Sequence, residues 1–142
     1  MTDIERFGSG GPYEDLIGYS RVVRAGSLLT TAGCTSVVHG ELVHEDDPYQ
    51  QAMTAFQVGI DALAGAECSR DRIVQTRMYI TDRAHAGEVG RAHHDTFVEV
   101  RPTTAMIIVA GFLDVRMLVE VELVAWASEL GRLAGPVSWA GE

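Results

Sequence analysis

The sequence predicts an α+β fold, with a mixed β-sheet of five to six strands and two helices packed on one face. Three observations predict it. Residues 118–127 alternate, with Val119, Val121, Leu123 and Ala125 on one side and Glu120, Glu122, Val124 and Trp126 on the other. That period of two is the signature of a strand with unlike faces. Tyr49, Ala52, Phe56, Ile60 and Leu63 recur at three- and four-residue steps, the apolar stripe of an amphipathic helix. The elements read strand, strand, helix, strand, helix, strand, strand, an order that layers helices against a sheet.

Taken in order, residues 1–17 read as an irregular leader. Gly8-Ser9-Gly10-Gly11-Pro12 argues against regular structure and lacks the GxxxxGK[ST] pattern of a phosphate loop. Tyr19–Ala25 and Leu28–Gly33 read as strands joined by Gly26-Ser27, a two-residue connection of the II′ kind. Residues 34–47 read as a polar loop with strand tendency at Val37-Val38 and a turn at Gly40-Glu41. Asp47-Pro48 opens the first helix, because an Asp cap accepts hydrogen bonds from orphan amides and proline is tolerated at the first helical position. Gly65 ends it.

Residues 72–81 read as a third strand, with Ile73, Gln75, Arg77 and Tyr79 alternating against Val74, Thr76, Met78 and Ile80. Its place between helices predicts a central position in the sheet. Asp82 caps a second helix over residues 84–99, which Gly87 and Gly90 weaken and Pro102 stops. Two strands joined by a short turn close the core, which spans residues 18–127. Residues 128–142 read as a loosely held tail.

Length and composition set bounds. The chain has 142 residues, 46% hydrophobic and 22% charged, which fits one domain with its own core. Its basic residues are all arginine, and the formal net charge of −9 argues against nucleic-acid binding. No apolar run is long enough to span a membrane, and no signal-peptide pattern opens the chain. Cys34 and Cys68 lack metal-ligand spacing and read as free thiols of a reducing compartment, so the expectation is a cytoplasmic protein. A sheet covered on one side leaves Val124 and Trp126 on the other. Covering that face with further copies about a common axis predicts a cyclic homo-oligomer.

The run from Arg101 to Ala127, RPTTAMIIVAGFLDVRMLVEVELVAWA, resembles the closing strands of the RidA (YjgF) family of reactive-intermediate deaminases. Residues 29–33, LTTAG, resemble the family's strand ending in Ser-Gly. Residues 71–82, DRIVQTRMYITD, resemble its central strand, and residues 51–64 its first helix. The resemblance implies a chorismate-mutase-like fold and a homotrimer with clefts between subunits. It also implies hydrolysis of amino-acid-derived imines and enamines to a keto acid and ammonia, with no metal or organic cofactor. In the family, an Arg in a P-x-R-[SA] pattern holds the substrate carboxylate bidentately. A Glu on the last strand, with a backbone carbonyl, places the attacking water.

Carried over by position, Glu120 matches the water-positioning Glu, Gly33 the cleft Gly and Tyr19 the early cleft Tyr. Gly18 replaces the usual proline before that Tyr, Ala32 the Ser before Gly33, and Gly90 the Asn of the second helix. Met106 stands where some relatives have Cys. Pro102-Thr103-Thr104-Ala105 puts Thr104 where the Arg belongs, so the resemblance is to branches that lack it. The expected activity is hydrolysis of an imine, enamine or related C–N bond in a small molecule other than 2-iminopropanoate, with Thr104 offering a neutral hydrogen bond. The alternative is a trimer that binds or regulates, or acts as a holdase, without turnover. Arg101 is a candidate substitute for the missing guanidinium, and Arg91, His93 and His94 form a polar group on the second helix. His93 reads as an acid–base residue or a half-buried core residue. Cys34 adjoins the cleft glycine, with no neighbour in sequence to stabilise a thiolate. The candidate set is thus Glu120 as the catalytic residue, with Tyr19, Gly33, Cys34, Arg91, His93, Thr104 and Met106 for substrate and no metal ligands.

Overall fold

A computed structural model describes residues 3–128, so the expected tail lies, apart from Ser128, outside the described residues. The strands are β1 Ile4–Phe7, β2 Val22–Ala25, β3 Leu28–Thr31, β4 Val37–Val38, β5 Glu41–Leu42, β6 Ile73–Ile80, β7 Thr103–Ile108 and β8 Val119–Trp126. The two long helices are α1 Pro48–Gly65 and α2 Ala86–Phe97. Six strands form one sheet in the order β1-β2-β3-β8-β6-β7, and β4 pairs with β5 in a separate ribbon. Only β6 and β7 run parallel, as the α2 crossover between them requires. Among the described residues, no helix is long and apolar enough to cross a membrane.

Side-chain alternation decides which face is covered. Val119, Val121, Leu123 and Ala125 of β8 are fully buried and pack with Phe56 and Leu63 of α1 and Val89, Ala92 and Phe97 of α2. Helix and sheet approach closely at Gly59, where a Cβ would stand 2.6 Å from Leu123 Cδ1. Asp47 caps α1 as expected, its carboxylate accepting the Gln50 amide at 3.0 Å. The buried Gln51 fastens α1 to the β7–β8 connection. Its Nε2 donates to the Arg116 carbonyl at 3.0 Å, and its Oε1 accepts the Leu118 amide at 2.9 Å.

Four local expectations are corrected. The leader is not irregular throughout: β1 pairs antiparallel with β2, because Glu5 and Phe7 alternate with exposed Ile4 and Arg6 in a short edge strand. The β4–β5 turn falls on His39 and Gly40, at φ 51° and 80°, one residue earlier than expected. β7 and β8 are not a hairpin, since β6 lies between them and their connection crosses its end. The alternation of β6 breaks at a register shift between Ile73 and Gln75, which buries Ile73 beside Thr76, Met78 and Ile80 on the covered face. The Gly26-Ser27 turn is as expected, with Gly26 at φ 62°.

Arg24 is the largest fully buried side chain. Its Nη1 donates to the Gly26 and Ala127 carbonyls at 3.2 and 3.1 Å, and its Nη2 to the Ala66 carbonyl at 3.4 Å. One guanidinium thus ties the β2–β3 turn, the end of β8 and the negative end of α1 together. Arg24→Met leaves these carbonyls dry and unpaired, and is expected to cost on the order of 3 kcal/mol in urea unfolding followed by circular dichroism. Arg24→Lys is expected to recover only part of that loss, because an ammonium lacks the fork that reaches three carbonyls.

Candidate active site

The site forms where the segment after β3 runs beside β8 and renews their antiparallel pairing. Cys34 bridges Val121 by two backbone bonds, Cys34 N to Val121 O at 2.7 Å and Val121 N to Cys34 O at 2.9 Å. Gly33, just before this bridge, lies against the side chain of Glu120, the residue before Val121. A Cβ at Gly33 would stand 2.6 Å from both Glu120 Cδ and Oε1, so any other residue there pushes the carboxylate from this position. Arg21 fixes the backbone from behind, its Nη1 donating to the Gly33 carbonyl at 2.6 Å. The Tyr19 ring lies 5.8 Å from the Arg21 guanidinium carbon, within cation–π range.

Two open cavities meet at Gly33 and Glu120. One, of about 810 Å³, extends toward the N-terminal segment past Tyr19, Thr30, Glu14 and Arg6. The other, of about 380 Å³, extends past Tyr79 and Glu122 to the Val109, Gly111 and Phe112 loop. Burial, and then the neighbouring Glu122 carboxylate, raise the Glu120 pKa, with Arg21 opposing. Glu122 is engaged by the Tyr79 hydroxyl, which donates to its Oε1. Glu120 accepts no hydrogen bond among the described residues, so its carboxylate is available to a water or ligand. A half-buried carboxylate with a raised pKa is suited to take a proton from water and return it near neutral pH.

The other expected residues are placed elsewhere in the chain. On edge strand β7, the Thr104 hydroxyl accepts from Thr76 Oγ1 at 2.7 Å, and Thr76 Oγ1 lies 2.8 Å from His93 Nε2. The His93 ring sits 5.5 Å from Phe56 and 4.8 Å from Phe97, and burial lowers its pKa, so it is neutral at pH 7. Met106 packs near Gly90 of α2. Thr76 is buried on the helix-covered face, whereas Glu120 looks out of the open one, so one chain does not bring Thr104 to Glu120. Arg91 lies 3.8 Å over the Tyr49 ring of α1, and Tyr49 donates to Asp95. Neither Arg91 nor Arg101 lines either cavity.

Cys34 contributes backbone rather than side chain. Its thiol is buried, and burial raises its pKa, so it does not present a thiolate to the cleft. Sequence reading passed over Arg21, Tyr79 and Arg6. Tyr79 was legible only as a neighbour of Glu120 once the β6–β8 register was known. Among the described residues, no three His, Cys, Asp or Glu side chains stand together to hold a metal ion.

The raised pKa has consequences of definite sign. Ionising Glu120 is harder in the fold than in the unfolded chain. The resulting penalty is absent below the ordinary carboxylate range and complete above the folded pKa. Glu120→Gln is therefore expected to raise Tm at neutral pH and to leave it unchanged in acid, as read by thermal melts across pH. Glu122→Gln is expected to bring the Glu120 pKa down, read from a carbon-13 titration of the side-chain carboxyl; an unmoved value would separate the two residues.

The family model described as Endoribonuclease L-PSP matches residues 13–127. An uncharacterized protein of Streptomyces coelicolor is 37% identical over 123 residues, covering 87% of this chain and 92% of its own length. The crystal structure of Rv2704 from Mycobacterium tuberculosis, described as a member of the highly conserved YjgF/YER057c/UK114 family, superposes with a TM-score of 0.79 at 34% identity, covering 87% of this chain and 99% of that one. A Yersinia pestis protein of unknown function from the conserved Rid family shares the fold, with a TM-score of 0.72 at 24% identity over 78% of this chain and 88% of its own. A family match that takes in both helices and every strand of the sheet but β1, and relatives above 30% identity over most of their length, place this chain in the YjgF/Rid family, to which the Endoribonuclease L-PSP model belongs.

Proposed function

We propose that the chain is a small-molecule hydrolase acting on an imine, enamine or related C–N bond, with Glu120 as its acid–base residue. The observation that carries this reading is the Glu120 carboxylate, held against Gly33 in an open cleft with a raised pKa and, among the described residues, no hydrogen-bond partner. A water bound to Glu120 attacks the imine carbon, and the carboxylate takes one of its protons. The protonated Glu120 returns that proton to nitrogen. Glu120 next takes the proton of the new hydroxyl and passes it to nitrogen as the C–N bond breaks, leaving a carbonyl compound and ammonia with one water consumed. An enamine enters the same sequence after proton transfer to carbon.

Assembly completes the site in this reading. The open face exposes Trp126 at 54% and Leu28 at 39%, paired across β8 and β3 with Val124 nearby. Apolar surface of this kind fits burial against further copies of the chain. A homotrimer would set the Thr104 edge of one subunit beside the Glu120 cleft of the next and so unite residues that one chain keeps apart. Thr104 offers a hydroxyl where a guanidinium would hold a carboxylate, so the substrate is not 2-iminopropanoate in its usual pose. RNA is a poor fit. The chain has net charge −9 and its arginines are scattered along the sequence, without the clustered basic surface that a phosphodiester backbone needs. The free thiols of Cys34 and Cys68 suit a reducing compartment such as the cytoplasm.

Ammonia release from freshly generated imino acids tests the reading. Glu120→Gln is expected to lose at least about a hundredfold in kcat/KM, roughly 2.7 kcal/mol of transition-state stabilisation, while sedimenting as the parent does. Gly33→Ala is expected to lose activity as well, by displacing the carboxylate. Thr104→Arg is expected to gain turnover of 2-iminopropanoate. Ammonia release at the spontaneous rate by parent and Thr104→Arg alike would sink the hydrolase assignment, and a monomer in sedimentation would sink the intersubunit cleft.

A further inference from the structure

We infer that β1 adds an anion-recognition subsite to the cleft, with Arg6 as its binding residue and a carboxylate at the far end of the ligand as its target. The inference rests on the proposed reading of Glu120 as the reacting end.

The register across the sheet places the subsite. Arg6 pairs with Val23, Val23 with Thr30, and Thr30 with Val124. Val22 and Arg24 turn into the core, so Arg6, Val23 and Thr30 stand on the open face with Glu120. All four line the same cavity of about 810 Å³. Among the described residues the Arg6 guanidinium has neither a hydrogen-bond nor an ion-pair partner. A free guanidinium at one end of a cavity and a free carboxylate at the other form a two-ended site.

The segment that carries Arg6 is fixed rather than draped. Arg21 N donates to the Phe7 carbonyl at 2.9 Å, and Gly26 N to the Asp3 carbonyl at 2.8 Å. The loop from Gly8 to Glu14 folds around the Glu14 carboxylate. Glu14 is only 7% exposed, and it accepts from Ser9 N at 2.9 Å and from Ser9 Oγ. Those bonds hold Glu14 below the usual carboxylate range, with its charge met inside the loop rather than by Arg6. Asp15 is the remaining acid of that wall, and it is exposed, where solvent and salt screen it. Arg6 therefore keeps its capacity for bidentate carboxylate binding.

Spacing sets the class of ligand. Arg6 stands three strands from β8, roughly 14 Å across the sheet, and level with Val124, four residues or roughly 13 Å along β8 from Glu120. An anion held by Arg6 is thus several bonds away from a C–N bond at Glu120. The ligand is an elongated molecule with its reacting nitrogen at one end and a carboxylate at the other, rather than a three-carbon imino acid.

Binding of product-like 2-oxo acids to the full chain tests this by calorimetry and carbon-13 NMR. The probes are 2-oxobutanoate, which has no distal carboxylate, and 2-oxoglutarate, 2-oxoadipate and 2-oxosuberate, which carry one at increasing reach. The parent is expected to bind the longest of these on the order of tenfold tighter than 2-oxobutanoate. Arg6→Gln is expected to erase that preference without changing the Kd for 2-oxobutanoate, and Arg6→Lys to retain part of it. A parent without the preference, no binding of any probe, or an Arg6→Gln variant that keeps the preference would overturn the subsite. Binding of 2-oxobutanoate that leaves the Glu120 carboxyl signal unmoved would instead overturn the reading of the reacting end, whatever Arg6 does.

Discussion

The two-bond backbone bridge between Cys34 and Val121 is the constraint on which the site depends. It holds an irregular segment beside β8, and the glycine at position 33 leaves the Glu120 carboxylate its place against that segment. The carboxylate is half-buried as a result, and burial is the largest cause of its raised pKa. Fold, local geometry and proton affinity therefore follow from one close approach. The large residues of α1 and β8 behind it keep the strand from yielding.

The charges around this contact are arranged so that Glu120 is left unpaired. The chain is acidic, yet its two most enclosed guanidiniums bind backbone carbonyls rather than carboxylates. Arg21 holds Gly33, and Arg24 holds the β2–β3 turn and the ends of α1 and β8. Tyr79 takes Glu122. Arg24 is turned away from Glu120 into the core, Arg21 opposes the raised pKa only through its charge, and the Tyr79 hydroxyl is committed to Glu122. A buried cation bonded only to carbonyls is expensive to desolvate, and three carbonyls offset that cost where a carboxylate would have introduced a second buried charge.

Family membership and the departures from the family pattern bear on residues that one chain keeps apart. Gly33 and Glu120 are in contact. Thr104 sits on the opposite face of the sheet, its hydroxyl tied through Thr76 to His93, whose pKa burial lowers. These bonds bring no charge to Thr104, and the N-terminal strand β1 is the part of the open face that sequence patterns left undescribed.

The sequence by itself determined what depends on neighbours in the chain. The alternation of β8, the stripe and Asp47 cap of α1, and the Gly26 turn are periodic or local signals, and each is present where the residues put it. Glu120, Gly33 and Tyr19 were named by resemblance, and the structure sets all three around one cleft. Only the tertiary structure decided the rest. That β1 belongs to the sheet depends on an unpaired edge of β2, and that β6 separates β7 from β8 depends on which strands meet after the α2 crossover. That Arg21 grips Gly33 and Tyr79 faces Glu120 depends on register between residues distant in sequence. Periodicity gives the face a side chain occupies. Which partner stands opposite is set by long-range pairing and packing, so the alternation that puts Glu120 on one face of β8 could not show that Thr104 lies on the other side of the sheet.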